Sequence, residues 1–249
     1  MLHSATLLVL GILVLVGVAY RYYWYSPAPP LPPLSATIRK STVRAGGRDR
    51  SYLIYVPANL PPQAALVIVL HGSGMNGARM RLCTGYEFDC LADQHGCVVI
   101  YPDGYRRNWN DCGKYATFRA KRNIDDMGFI RTLIARASIE QAIDEKQVFA
   151  FGYSNGGHMA FRLAVEAPDA IAAVTAVAAS LPTPDAFFVP AARANVARHA
   201  RQRNSRPNQP LPRGNSHAIR LREQRLCDVI DGIRAAFCRA ESDSRPADS

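Results

Sequence analysis

Hydrophobic and polar positions alternate along this chain in blocks rather than singly. Ala65–Leu70, Cys97–Tyr101, Gln147–Phe151 and Ile171–Ala179 are short, nearly continuous runs of aliphatic, β-branched and aromatic residues. Runs of this length, bounded by polar or glycine-containing turns, predict strands buried on both faces of a parallel sheet. Between them lie stretches of helical character. His158–Ala167 reads as one helix, and Asn123-Ile-Asp-Asp-Met-Gly-Phe-Ile130 opens another with acidic residues in its first turn, where they complement the helix dipole. Strands alternating with helices predict an α/β class with a right-handed, mostly parallel sheet. Arg44-Ala-Gly-Gly-Arg-Asp49, between short strands, predicts an antiparallel hairpin at the N-terminal edge of that sheet.

The N-terminus follows a different pattern. Ala5–Tyr20 is apolar throughout apart from Thr6, near the lower limit for spanning a bilayer and slightly long for a signal-peptide core. Arg21-Tyr-Tyr-Trp-Tyr25 follows, an aromatic belt with one cation of the kind found at a membrane interface. Residues 1–25 are therefore expected to be a signal or membrane anchor, with a retained anchor favoured over cleavage and the protein exported, either membrane-anchored or secreted/periplasmic. Residues 26–40 are expected to be a linker. Its stretch from Ser26 to Pro33 holds five prolines, which form a stiff, extended spacer. The 249 residues, 48% hydrophobic, suffice for one α/β domain with a sizeable core, expected over residues 41–187.

Chemistry concentrates at the ends of two predicted strands. Gly152-Tyr-Ser-Asn-Gly-Gly157 follows the run ending at Phe151 and precedes the helix-like stretch from His158. A Gly-x-Ser-x-Gly between strand and helix is the pattern of a nucleophile elbow, in which Ser154 projects its hydroxyl from a strained turn and Gly152 and Gly156 supply clearance. Ser154 is the candidate nucleophile. His71-Gly-Ser-Gly74 follows the run Ala65–Leu70, at the strand end where open α/β sheets place ligands. In the hydrolase geometry the backbone N–H groups of Ser73 and Asn155 form the oxyanion hole, each such donor contributing about 3 kcal/mol to transition-state stabilisation. His71 is expected to orient the loop rather than to catalyse.

Arg50-Ser-Tyr-Leu-Ile-Tyr-Val-Pro57, Leu70-His-Gly72, Tyr101-Pro-Asp-Gly104, Trp109-Asn110, Asp125-Asp-Met-Gly-Phe129 and the serine motif occur in this order and spacing. Together they resemble the poly(3-hydroxybutyrate) depolymerase and feruloyl esterase family of α/β-hydrolases, over about Ser41 to Pro184. The resemblance implies the α/β-hydrolase fold and hydrolysis of a carboxylic ester through an acyl-enzyme on Ser154. The ester would be a polyester, a feruloyl ester or a small acyl ester. It also implies a place for Trp109 near the acyl or aromatic part of the substrate, with a core tryptophan as the alternative.

The resemblance stops near Phe187. An enzyme of this fold draws its catalytic acid and then its histidine from the chain after the serine. The later histidines here are His158, one turn along the same helix, and His199 and His217, in a stretch without a strand-like run. After Pro190 the chain has twelve Arg, no Lys and six Asp plus Glu, contributing +6 of the formal net charge of +10. That bias fits GC-rich coding sequence read out of frame. Displaced by one nucleotide, His199–Leu211 can be read as Met-His-Gly-Asn-Ala-Ile-Arg-Asp-Pro-Ile-Asn-Pro-Tyr, similar to the family's strand end and acid loop, with Arg206 in place of the catalytic Asp. Ser216–Arg222 then reads as Val-Thr-Leu-Phe-Gly-Phe-Gly, which alternates like a strand. A frameshift between about Phe187 and Ala192 is therefore expected. With it come a sheet incomplete at its C-terminal edge, an Arg-rich, largely unstructured tail over residues 188–249, and an intended histidine either beyond the present C-terminus or outside what this reading preserves.

Cys83, Cys90, Cys97 and Cys112 fall in the expected domain. An oxidising compartment would favour disulfides among Cys83, Cys90 and Cys112, whereas Cys97 lies in a strand and reads as a small buried hydrophobe. Their spacing is not that of a zinc site, so neither a metal nor a cofactor is expected. The arginines of the tail are dispersed and without aromatic partners apart from Phe237, which argues against nucleic acid as a partner. The expected partners are an ester substrate and, through residues 1–25, a membrane. The competing reading is a catalytically inactive, membrane-tethered hydrolase-like protein, lacking the Asp and His of a triad.

Overall fold

The computed structural model describes residues 2–23, 28–111, 123–180 and 200–201. After helix α1 (Leu2–Tyr23) the chain builds β1 (Arg39–Ala45), β2 (Arg48–Tyr55), β3 (Leu66–Leu70), α2 (Gly77–Cys83), α3 (Glu87–His95) and β4 (Val98–Pro102). A short 3-10 turn (Tyr105–Arg107) leads on to α4 (Asp126–Gln141), β5 (Val148–Tyr153), α5 (Asn155–Glu166), β6 (Ala173–Val177) and β7 (Ala200–Arg201). Among the described residues, seven strands form one sheet in the order β1-β2-β4-β3-β5-β6-β7. Pairing is parallel from β4 to β7 and antiparallel only for β1 with β2 and β2 with β4. This is the mostly parallel α/β sheet expected from the alternation of strands and helices, and the α/β-hydrolase fold that the resemblance implies.

Strand alternation creates the two core faces. Leu66, Ile68 and Leu70 of β3 point to one side, where Phe129, Ile130 and Leu133 of α4 and Met159, Ala160 and Leu163 of α5 cover them. Val67 and Val69 point to the other, against Met80 of α2 and Phe88 and Ala92 of α3. A strand with both faces covered must be apolar at every position, which is why β3 and β4 read as unbroken runs. The predicted hairpin forms with Ala45 opposite Arg48, and Gly46 and Gly47 take φ of 55° and 75°. Two successive positive φ angles define the type I′ turn, whose twist matches the strands it joins.

Three expectations are corrected. The linker does not run free to residue 40: Leu34, Ala36 and Ile38 pack on the α3 side of the sheet, and β1 begins at Arg39. Ser35 clasps the domain, its N–H and Oγ donating to Asp93 at 2.8 and 2.5 Å, while Tyr55 OH donates to the same carboxylate at 2.7 Å. Cys83 and Cys90 are free thiols, Cys83 in α2 and Cys90 in α3, so the pairing of these two is not made; Cys112 lies outside the described residues. Thirdly, the tail does contribute to the sheet. Ala200 and Arg201 pair with Val174 and Thr175 as β7, whereas the rest of residues 181–249 lies outside the described residues. Cys97 is buried as expected, and burial pushes its thiol up to about 12.

The apolar N-terminal segment is helical in α1, with Val9, Leu10 and Ile12–Val16 exposed. Among the described residues no helix is long and apolar enough to cross a membrane, so the expected anchor draws no support from the fold.

A buried ion pair ties the hairpin to α4. Arg50 Nη2 lies 2.7 Å from Asp126 Oδ1, and the guanidinium stacks 4.1 Å from the centroid of the Phe129 ring. Asp126→Ala would leave that guanidinium charged and without its carboxylate in the interior. The expected loss is about 3–5 kcal/mol of stability, read as a lower urea midpoint; an unchanged midpoint would show that the pair does not hold the hairpin in place.

Candidate active site

Ser154 stands where β5 passes into α5, with φ 53° and ψ −117°, a backbone conformation that L-residues rarely adopt. Its N–H donates to Val177 O of β6 at 2.8 Å, and its carbonyl accepts from His158 N at 3.1 Å, closing the first turn of α5. The glycines around it are compelled by close approach. A Cβ at Gly152 would sit 2.1 Å from Gly156 O, and one at Gly156 would sit 2.3 Å from Leu70 O and 2.6 Å from His71 O. Such distances leave no room for a side chain. The elbow expected at Gly152–Gly156 is therefore present, and Ser154 sits half-buried at the positive end of the α5 dipole.

The loop after β3 meets the elbow through these contacts. His71 is fully buried, its Nδ1 paired with Gly72 O at 2.7 Å and its Nε2 accepting from Gly104 N at 2.9 Å. The acceptor at Nε2 assigns the proton to Nδ1, so the ring is neutral. Burial lowers its pKa from the ordinary 6.5. The expectation of a structural His71 holds, since it locks the β3 loop to the turn after β4. Ser73 is exposed, with Oγ donating to Asn108 Oδ1 at 2.5 Å.

Asn155 is buried and its side chain spans the site. Its Oδ1 accepts from Trp109 N at 2.8 Å and its Nδ2 donates to the Asp111 carboxylate. Trp109 is 0% exposed. Its indole N–H donates to His71 O at 2.8 Å, and its ring lies 4.9 Å from the His71 ring. Its burial favours the core reading of Trp109. The indole braces the β3 loop against the Trp109–Asp111 segment.

The structure thus brings Ser154, Asn155 and the Ser73 loop together around the packed Trp109. Among the described residues, no hydrogen bond engages the Ser154 hydroxyl, and His158 is half-buried on α5. His199, His217 and Arg206 lie outside the described residues. Also among the described residues, no group of three or more His, Cys, Asp or Glu side chains could hold a metal ion.

Several supporting residues were not singled out by sequence. Asp103, read only as part of a turn, accepts from Gly77 N at 2.8 Å and from Ser51 Oγ at 2.6 Å. Asp126 accepts from Asn110 N at 2.7 Å through the oxygen that does not face Arg50, and Arg162 donates to Asn110 O at 2.6 Å. Asp111 and Asn108 flank the Trp109-Asn110 motif, and that adjacency was their one available signal.

Residues 50–208 match the protein family described as Esterase PHB depolymerase. The match corrects the expectation that the resemblance stops near Phe187, since it runs to residue 208 and takes in β7. A putative esterase, NocK, of Nocardia uniformis subsp. tsuyamanensis is 32% identical over 170 residues, which is 67% of this chain and 48% of the relative. The poly(3-hydroxybutyrate) depolymerase of Ralstonia pickettii is 32% identical over 146 residues, 52% of this chain and 28% of the relative. The chain spans less than half the length of each. Among solved structures, poly(aspartic acid) hydrolase-1 from Sphingomonas sp. KT-1 aligns with a TM-score of 0.55 at 15% identity, covering 67% of this chain and 70% of that one, a likeness of fold.

His71 gives the site a pH dependence. Because its folded pKa is lowered, the unfolded chain takes up a proton first as pH falls. The stability held by neutral His71 is full above pH 6.5, the ordinary value, and declines below it toward the lowered folded value. In calorimetric scans His71→Asn is expected to flatten the fall in Tm below pH 6.5. An identical slope in both proteins would mean that another group carries that dependence.

Proposed function

The chain belongs to the Esterase PHB depolymerase family, and from that premise we propose that it is a serine hydrolase cleaving carboxylic esters through an acyl-enzyme, with Ser154 as nucleophile. The observation that carries this reading is the strained backbone of Ser154 at a glycine-cleared strand-to-helix turn. In the proposed reaction Ser154 Oγ attacks the ester carbonyl carbon while a general base takes its proton. The tetrahedral oxyanion is held by the N–H groups of Asn155 and Ser73. Collapse breaks the bond to the alcohol, which leaves with the proton, and water then releases the acid by the same steps in reverse order of roles. The substrate class is a polyester, feruloyl or small acyl ester.

A second reading is favoured by the composition of the tail: this chain as written is inactive, because the frame change puts Arg206 where the family has its acid and removes the histidine. Three proteins separate the readings when assayed on p-nitrophenyl esters: the chain as written, a chain with the one-nucleotide shift repaired between Phe187 and Ala192, and the repaired chain carrying Ser154→Ala. Losing the base of a triad costs roughly a millionfold in turnover, leaving about a thousandfold over water from the oxyanion hole and binding. The expected result is activity in the repaired chain alone. Equal activity in the first two overturns the inactive reading, and activity surviving Ser154→Ala overturns Ser154 as nucleophile.

For localisation we propose export, with the apolar N-terminal segment retained as an anchor. Carbonate washing of the membrane fraction is expected to leave the chain in the pellet; full release into the wash would instead mark a cleaved or peripheral form.

A further inference from the structure

The turn after β4 holds two consecutive left-handed residues, Arg106 (φ 48°, ψ 40°) and Arg107 (φ 60°). Glycine or asparagine is what such backbone favours, so arginine at both positions runs against local preference. The turn is held in this shape by several bonds. Arg107 N donates to Gly104 O at 3.0 Å, Asn108 N to Tyr105 O at 3.1 Å, and Asn108 Nδ2 to Arg106 O at 3.0 Å. It is also stitched to the loop after β3, because Gly74 N donates to Arg107 O at 2.8 Å and Ser73 Oγ to Asn108 Oδ1 at 2.5 Å. Strain over-determined in this way collects at ligand clamps.

Among the described residues, no carboxylate pairs with the charges on this turn. Arg106, Arg107 and the nearby Arg48 are exposed, and among the described residues none of the three is in an ion pair. The guanidinium carbons of Arg48 and Arg106 lie 5.0 and 5.6 Å from the centroid of the same ring, that of Tyr105. The ring attracts each cation, yet the two repel one another, and an anion placed beside them relieves that repulsion. A planar fork of donors matches a carboxylate bidentately, as it does a phosphate.

We propose that Arg106 and Arg107, with Arg48, form a carboxylate-recognising rim beside the Ser73 loop, so that the preferred substrate is an ester carrying a free carboxylate remote from the scissile carbonyl. This rests on the reading of the Ser73 and Ser154 loops as the active site, and deepens it by naming a substrate class.

Binding tests it without relying on turnover. In the full chain carrying Ser154→Ala, dissociation constants are measured calorimetrically for p-nitrophenyl hemiglutarate, which is anionic, and p-nitrophenyl valerate, a neutral ester of matched length. The anionic ester is expected to bind about fivefold more tightly at low salt, and the preference is expected to shrink at about 1 M salt, where the screening length falls to about 3 Å. Arg106→Gln with Arg107→Gln is expected to abolish the preference, and the corresponding Lys pair to keep part of it. Both side chains are exposed, so an unchanged Tm is the accompanying control. No measurable preference, or a preference untouched by the Gln pair, overturns the proposal. Binding to phosphatidylglycerol vesicles that falls in the Gln pair, without any ester preference, overturns it in favour of a membrane contact. Failure of the Ser154 reading is seen separately, as turnover surviving Ser154→Ala in the repaired chain.

Discussion

The closeness of α5 to the end of β3 is the constraint on which the site depends. At Gly156 the helix backbone lies so near the Leu70 and His71 carbonyls that a methyl group would overlap both. At Gly152 the strand lies equally near the helix that follows it. These approaches force the chain to reverse within one residue, and that residue is Ser154. They also set the loop after β3 beside the first turn of α5, so the two backbone segments proposed to hold an oxyanion are neighbours by steric necessity. The parallel pairing of β3 with β5, Leu70 opposite Gly152, aligns the two strand ends that make this possible.

Around this contact the buried polar groups satisfy one another. His71 joins the β3 loop to Gly104; Trp109 joins it to Asn155; Asn155 reaches Asp111; Asn110 reaches Asp126, and Asp126 reaches Arg50 of β2. The described residues contain no buried side-chain nitrogen or oxygen without a partner. Such a chain of bonds in a low-dielectric interior is costly to interrupt, because each broken link leaves a desolvated group behind. The segment from Gly104 to Asp111 is thereby held in place without regular secondary structure along most of its length, and its strained arginines can persist there.

The sequence by itself determined the strands, the hairpin turn and the elbow. Each of these depends on local rules: runs apolar on both faces, a Gly-Gly pair with positive φ, and a serine flanked by residues that lack side chains. β3, β4, β5 and β6 accordingly fall within a few residues of the runs that predicted them, and Asp126 stands in the first turn of α4 as expected, with Asp125 capping it by accepting from Gly128 N. The motifs at Leu70–Gly72, Tyr101–Gly104 and Gly152–Gly157 were legible for the same reason, since they sit at strand ends where chemistry and turn geometry coincide. Only the tertiary structure decided how Trp109 packs. Its pattern suited substrate contact and core packing equally, and the choice depended on the depth at which distant segments closed over it. It also decided that Leu34 to Ile38 dock rather than dangle, that Cys83 and Cys90 stay apart, and that Ala200 and Arg201 find an edge strand to pair with. None of these is encoded within a window of neighbouring residues. Each depends on which surfaces the completed sheet leaves within reach.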